Sequence, residues 1–164
     1  MSKIRKVYGI GIVLIFVMTI LVACGTKKAS ASKDFEFSYK GDTVTIDDDA
    51  TKMLKDIGKA KETKKTESCA FQGYDRTYVY DDFTITTYSK TKSGSEFINS
   101  IELTKDSVAT KENIKIGSSK KDMLDVYGTV KDKFGVYTYT KGKTKLVIEV
   151  DDSDKVISIK YMKK

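Results

Sequence analysis

The chain has 164 residues, 30 basic against 23 acidic, and contains no histidine, tryptophan or proline. Its length suits one domain or two very small ones. The missing histidine removes the commonest general base and a leading zinc ligand at neutral pH, which narrows its chemistry more than any residue present.

Lys3, Arg5 and Lys6 form a basic leader, and the 16 residues from Val7 to Val22 carry no charge. A bilayer-spanning helix needs roughly 20 apolar residues, so the run falls slightly short. It ends in Leu21-Val22-Ala23-Cys24. That box resembles the lipobox of bacterial lipoproteins. The resemblance implies cleavage between Ala23 and Cys24 and a diacylglycerol on the Cys24 sulfur. Residues 1–23 are then a signal peptide, and 24–34 a lipidated tether facing outside the cytoplasm. Gly25 to Lys33 is small, polar and lysine-bearing, as a flexible tether should be. Two acyl chains anchor stably where one gives only reversible binding. Removing Lys3, Arg5, Lys6, Lys27, Lys28, Lys33 and Asp34 leaves 24 basic and 22 acidic residues. A body so balanced is no nucleic-acid footprint.

The body opens with a strand pattern at Phe35–Tyr39 (FEFSY). Val44 to Gly58 (VTIDDDATKMLKDIG) then reads as strand, capping loop, short helix and glycine. Ala50, Met53, Leu54 and Ile57 recur at helical spacing, and Asp48 or Asp49 supplies the cap. The polar run Lys59–Glu67 with SCAFQG behind it reads as a solvated loop leading into an extra short strand. Cys69, between small and aromatic neighbours, reads as a buried, inert cysteine with no histidine to activate it. Tyr78–Tyr88 and Ile98–Leu103 alternate as strands do, with turns at Asp81-Asp82 and Lys92–Glu96.

The pattern then repeats. Ile114 to Gly128 (IKIGSSKKDMLDVYG) matches the first unit at an offset of 70, through Ile46 and Ile116, Met53 and Met123, Leu54 and Leu124, Gly58 and Gly128. Ser119 with Asp122 predicts a capping box, and both glycines stand where a left-handed helix end is needed. Tyr78 and Tyr80 match Tyr137 and Tyr139 at offset 59, and Ile98–Leu103 matches Val156–Tyr161 at 58. The fall from 70 to 59 assigns about 11 extra residues to the first unit. The expected fold is therefore α+β: repeats at 35–110 and 111–164, each a strand, a helix and a three-stranded meander. They build an antiparallel sheet with short helices packed on it. Leu146, Ile148, Val150, Ile157, Ile159 and Tyr161 are the expected core.

Gly117-Ser118-Ser119 opening a short helix, Gly128 closing it and strands following resemble the repeat of the β-lactamase inhibitory protein fold. That repeat is also seen in small outer-membrane assembly lipoproteins. The resemblance covers about Val44 to Met162. Asp47 replaces the loop glycine in the first unit, and Thr129 stands where a proline often follows. It implies a binding scaffold rather than a shared reaction.

The carboxylate clusters have structural explanations. Asp47-Asp48-Asp49 sits at a helix start, and Asp151, Asp152 and Asp154 occupy a hairpin turn that lacks the glycine and glutamate of a calcium loop. No metal or cofactor is expected, and no catalytic residue is assigned. Tyr78, Tyr80, Tyr137 and Tyr139 alternate with Val or Thr, so each pair points one way. Covering the helices as part of the core is their simpler reading. The alternative is an exposed four-tyrosine surface for a protein partner. The function expected is a lipid-anchored, extracytoplasmic binding module without catalysis. A structural or assembly lipoprotein of the envelope and an undetected hydrolase are the other two readings.

Overall fold

The structure, a computed structural model, describes residues 32–164, so the apolar leader and Cys24 lie outside the described residues. In chain order it contains β1 (Phe37–Tyr39), β2 (Asp42–Val44), α1 (Thr51–Ile57), β3 (Glu62–Glu67), β4 (Tyr74–Val79), β5 (Phe83–Ser89) and β6 (Glu96–Leu103). There follow α2 (Lys120–Tyr127), β7 (Val136–Lys141), β8 (Thr144–Val150) and β9 (Val156–Lys163).

Strand accounts for 45% of the chain described and helix for 11%, so the protein is mostly β rather than the α+β fold expected. Two features shift the balance. The helices are only seven and eight residues long. The polar run expected as a loop is mostly strand β3, and SCAFQG belongs to the connection after it. The strands expected before the helices also differ. β2 pairs only with β1 in a separate two-stranded sheet, and the segment before α2 makes isolated bridges instead of a strand.

The main sheet is antiparallel throughout, in the order β3-β4-β5-β6-β9-β8-β7. The two three-stranded meanders meet at β6 and β9, where Leu103 faces Ile159 and Ile101 faces Tyr161. β5 alternates buried and half-buried residues along its whole length, the signature of a strand with one face on the core. Phe83, Ile85, Ile101, Leu103, Leu146, Ile148 and Ile159 form one cluster with Met53 of α1, Met123 of α2 and Phe37 of β1. Each such side chain contributes about 1.5–3 kcal/mol by leaving water.

The segments leading into the two helices dock on the sheet identically. Asp47 N–H donates to Ile98 C=O (2.8 Å), Ile98 N–H to Asp48 C=O (2.9 Å) and Ala50 N–H to Glu96 C=O (2.8 Å). Gly117 to Val156 (2.7 Å), Val156 to Ser118 (2.9 Å) and Lys120 to Asp154 (2.9 Å) repeat those bonds at offsets of 70 and 58. Asp47 holds the left-handed conformation of its counterpart Gly117, with φ of 71° against 85°.

Local expectations fare unevenly. Ser119 Oγ accepts from Asp122 N–H at 3.0 Å, which is half of the expected capping box, while the Asp122 carboxylate accepts from the Ser119 hydroxyl (2.6 Å) rather than from its N–H. Ala50 occupies the N-cap of α1, and Asp49 supplies a carboxylate to Thr51 N–H (2.8 Å) from one position earlier. Ile157, expected in the core, is 52% exposed. The β8–β9 register shifts between Glu149 and Val150, and that bulge turns Ile157 outward and leaves Val150 half-buried.

Candidate functional site

The four tyrosines do not form an exposed face. Tyr137 and Tyr139 are buried, and Tyr78 and Tyr80 are half-buried against the same core. Their inward direction follows from register: Tyr78 lies opposite Ile85, and Tyr137 opposite Ile148. The hydroxyls serve the fold. Tyr78 donates to Glu96 Oε2 (2.8 Å), which Thr87 also reaches (2.8 Å). Tyr80 donates to Gly58 C=O (3.4 Å) and Tyr139 to Gly128 C=O (3.1 Å), tying each helix end to its meander. Burial pushes the phenol pKa values of Tyr78, Tyr80 and Tyr139 upward, and Glu96 adds to the effect at Tyr78. The exposed four-tyrosine surface is therefore corrected: packing claims these rings.

Cys69 is exposed, contrary to expectation, because it sits in the connection between β3 and β4 and not on a strand face. From that connection Phe71 stacks on Tyr88 at 5.1 Å, and Tyr88 tilts against Phe97 at 5.6 Å. Tyr88 donates to Asp47 (3.1 Å), which pairs with Lys163 (2.8 Å). A cleft of about 270 Å³ lies beside these groups.

The carboxylate clusters are turn elements. Asp151 Oδ1 accepts from Ser153 N–H (3.0 Å) and Lys155 N–H (2.9 Å), holding the β8–β9 hairpin. Asp48 accepts from Thr45 N–H at 2.7 Å.

A second arrangement lies along β7, the edge strand opposite β3. Eight residues, 128–135, separate α2 from β7, whereas sixteen, 58–73, separate α1 from β4. The longer connection has the length to form β3, which covers the β4 edge. The shorter one manages a single pair: Lys133 and Val136 exchange both backbone bonds at 3.1 Å around the turn Phe134-Gly135. Both turn residues have positive φ, 55° and 76°. That geometry matches a mirror-image hairpin turn, where Asn or Gly is the usual choice. Beyond Lys133 the chain leaves β7. The hairpin register points the N–H and C=O of Thr138 and Thr140 outward, with no protein partner among the described residues.

Beside this edge runs a groove of about 570 Å³ lined by Phe35, Val126, Tyr127, Val130 and Tyr139. Val126 is 44% exposed, and Phe134, in the turn before β7 and outside this groove, is 93% exposed. Sequence reasoning singled out Tyr139 of this groove but missed Phe35, Val126, Tyr127 and Val130, whose apolar and aromatic character is that of ordinary core residues. The available signal was the shorter connection in the second unit.

No family model and no curated protein matches the chain. Among solved structures, it is similar to a cysteine-rich secretory protein from Staphylococcus aureus subsp. aureus Mu50, with a TM-score of 0.51 and 14% identity. The match covers 73% of this chain and 43% of that one, so this chain spans less than half of that protein's length. At this identity the likeness is one of fold alone.

Proposed function

We propose that this chain is an extracytoplasmic binding module, held at the membrane by a lipid on Cys24, that engages a protein partner without a catalytic step. The exposed aromatic ring of Phe134 carries the reading. A phenylalanine 93% exposed, in a turn with φ of 55°, gains nothing from burial and holds a conformation that suits Asn or Gly. Aromatic side chains are enriched at protein contact surfaces. Val126, 44% exposed, and the N–H and C=O of Thr138 and Thr140, unpaired among the described residues, are further groups open to a partner. The lipobox Leu21-Val22-Ala23-Cys24 supports the address, and the likeness to a β-lactamase inhibitory repeat supports a scaffold role.

Two comparisons in intact cells test it. The parent should fractionate with membrane and carry a diacylglycerol mass on Cys24, and Cys24→Ser should lose both. Chemical crosslinking should give one enriched partner for the parent and much less for a Val126→Ser, Phe134→Ser double variant of equal thermal stability. A soluble parent, or equal capture by parent and double variant, contradicts the reading.

A further inference from the structure

We propose that the partner contributes an extended strand that adds antiparallel to β7. This rests on the binding-module reading above and names the form the partner takes.

The first repeat shows how the equivalent edge, that of β4, is covered. At the 59-residue offset, Thr77 and Val79 of β4 correspond to Val136 and Thr138 of β7. Thr77 pairs with Lys64 and Val79 with Glu62, within six antiparallel pairs made by β3. In the second repeat the equivalent cover stops after Lys133–Val136. Thr138 and Thr140 then present two donors and two acceptors in line. An unpaired edge is a template for another strand. Where a pocket lies beside it, main-chain bonds supply affinity and alternate side chains supply specificity.

Register defines the ligand. Residues opposite Thr138 and Thr140 project to the open face, which suits polar side chains. The residue between them lies opposite Tyr139 and projects toward α2, into the groove of Phe35, Val126, Tyr127 and Val130. That position calls for an apolar side chain. One step further, a carboxylate meets the exposed Lys141. A second copy of this chain fits poorly. Its free β3 edge would offer Thr63, Lys65 and Glu67 on the helix side, and its β7 tyrosines are already buried in its own core.

The probe is the peptide acetyl-Glu-Thr-Leu-Thr-Val-Thr-amide, titrated to millimolar concentration into the isotopically labelled full chain in detergent. Expected are amide shifts and slowed hydrogen exchange at Thr138 and Thr140, with shifts at Val126 and Val130. Methylating the peptide nitrogens of its first two threonines should weaken binding by roughly tenfold. Thr138→Pro removes an outward N–H that the β7–β8 ladder does not use, and should weaken binding similarly. Thr138→Val should leave it unchanged. Absence of shifts at Thr138 and Thr140, or equal binding of the methylated peptide to the parent, overturns strand addition. In cells, a partner that Thr138→Pro still captures overturns strand addition and leaves the binding-module reading standing. A parent that captures no partner while the peptide protects both amides overturns that reading and leaves the edge chemistry standing.

Discussion

The hydroxyl of Tyr139 donates to the carbonyl of Gly128 at 3.1 Å, binding the second meander to the end of its helix. Tyr80 makes the same bond to Gly58 at 3.4 Å. Each glycine N–H in turn donates to a leucine carbonyl four residues back, Leu54 or Leu124. A two-turn helix is marginal alone, so its stability comes from such tertiary ties.

Removing the Tyr139 hydroxyl isolates that contribution. Tyr139→Phe is expected to destabilise by about 1 kcal/mol in urea titration, since a part-buried hydrogen bond to Gly128 C=O is lost. Tyr80→Phe should cost less, because its bond is longer and its ring only half-buried. Equal and negligible effects would contradict the tie.

Gly128 has φ of 84° and open space where a Cβ would stand, so conformation alone decides a substitution there. Gly128→Ala should destabilise by about 1 kcal/mol or more, with Gly58→Ala alike. Thermal melting of both variants checks this.

Glu96 gathers three groups at the start of β6. Its carboxylate accepts from Tyr78 and Thr87, and Arg76 Nη1 stands 3.2 Å from it without hydrogen-bond alignment. Glu96→Ala strands two half-buried or buried hydroxyls and should cost about 2 kcal/mol. Glu96→Gln keeps an acceptor and should cost clearly less. Denaturation of the pair decides it.

Asp47 gives a pH signature. Burial opposes ionisation of its carboxyl, but hydrogen bonds from Lys163 and Tyr88 outweigh it and hold the pKa below the ordinary 3.8. A depressed native pKa means the unfolded chain binds more protons across that window. The stabilisation is present above the ordinary value and is lost as pH falls through the depressed one. Asp47→Asn should therefore flatten stability against pH on the acid side, by a small amount because Lys163 is well exposed. Identical acid slopes in parent and variant would refute this.

Periodicity revealed what one-sided burial imposes. β5 and β8 alternate because one face meets the core, and Met53 and Met123 mark the buried stripe of each helix. The offsets of 70 and 58 coincide with shared backbone bonds, since the docking loops must meet the same strand ends. β3 was hidden because every residue from Glu62 to Glu67 is exposed, so no alternation is written in its sequence. Charges there also blunt an edge strand. The tyrosines were ambiguous because alternation says which residues share a face, not which face is covered. The β7 groove depends on how far the 128–135 connection follows the strand, which only geometry reveals.

Mapping contacts by position distinguishes strand addition at β7 from capture elsewhere on the sheet. A photo-crosslinking residue is placed at Phe134, at Val126 or, on the opposite sheet edge, at Lys64, in the lipid-anchored chain in living cells. One protein should be captured from Phe134 and Val126 and none from Lys64, and capture should be lost when Thr138→Pro is added. Capture from Lys64 alone, or capture from Phe134 that survives Thr138→Pro, would contradict it.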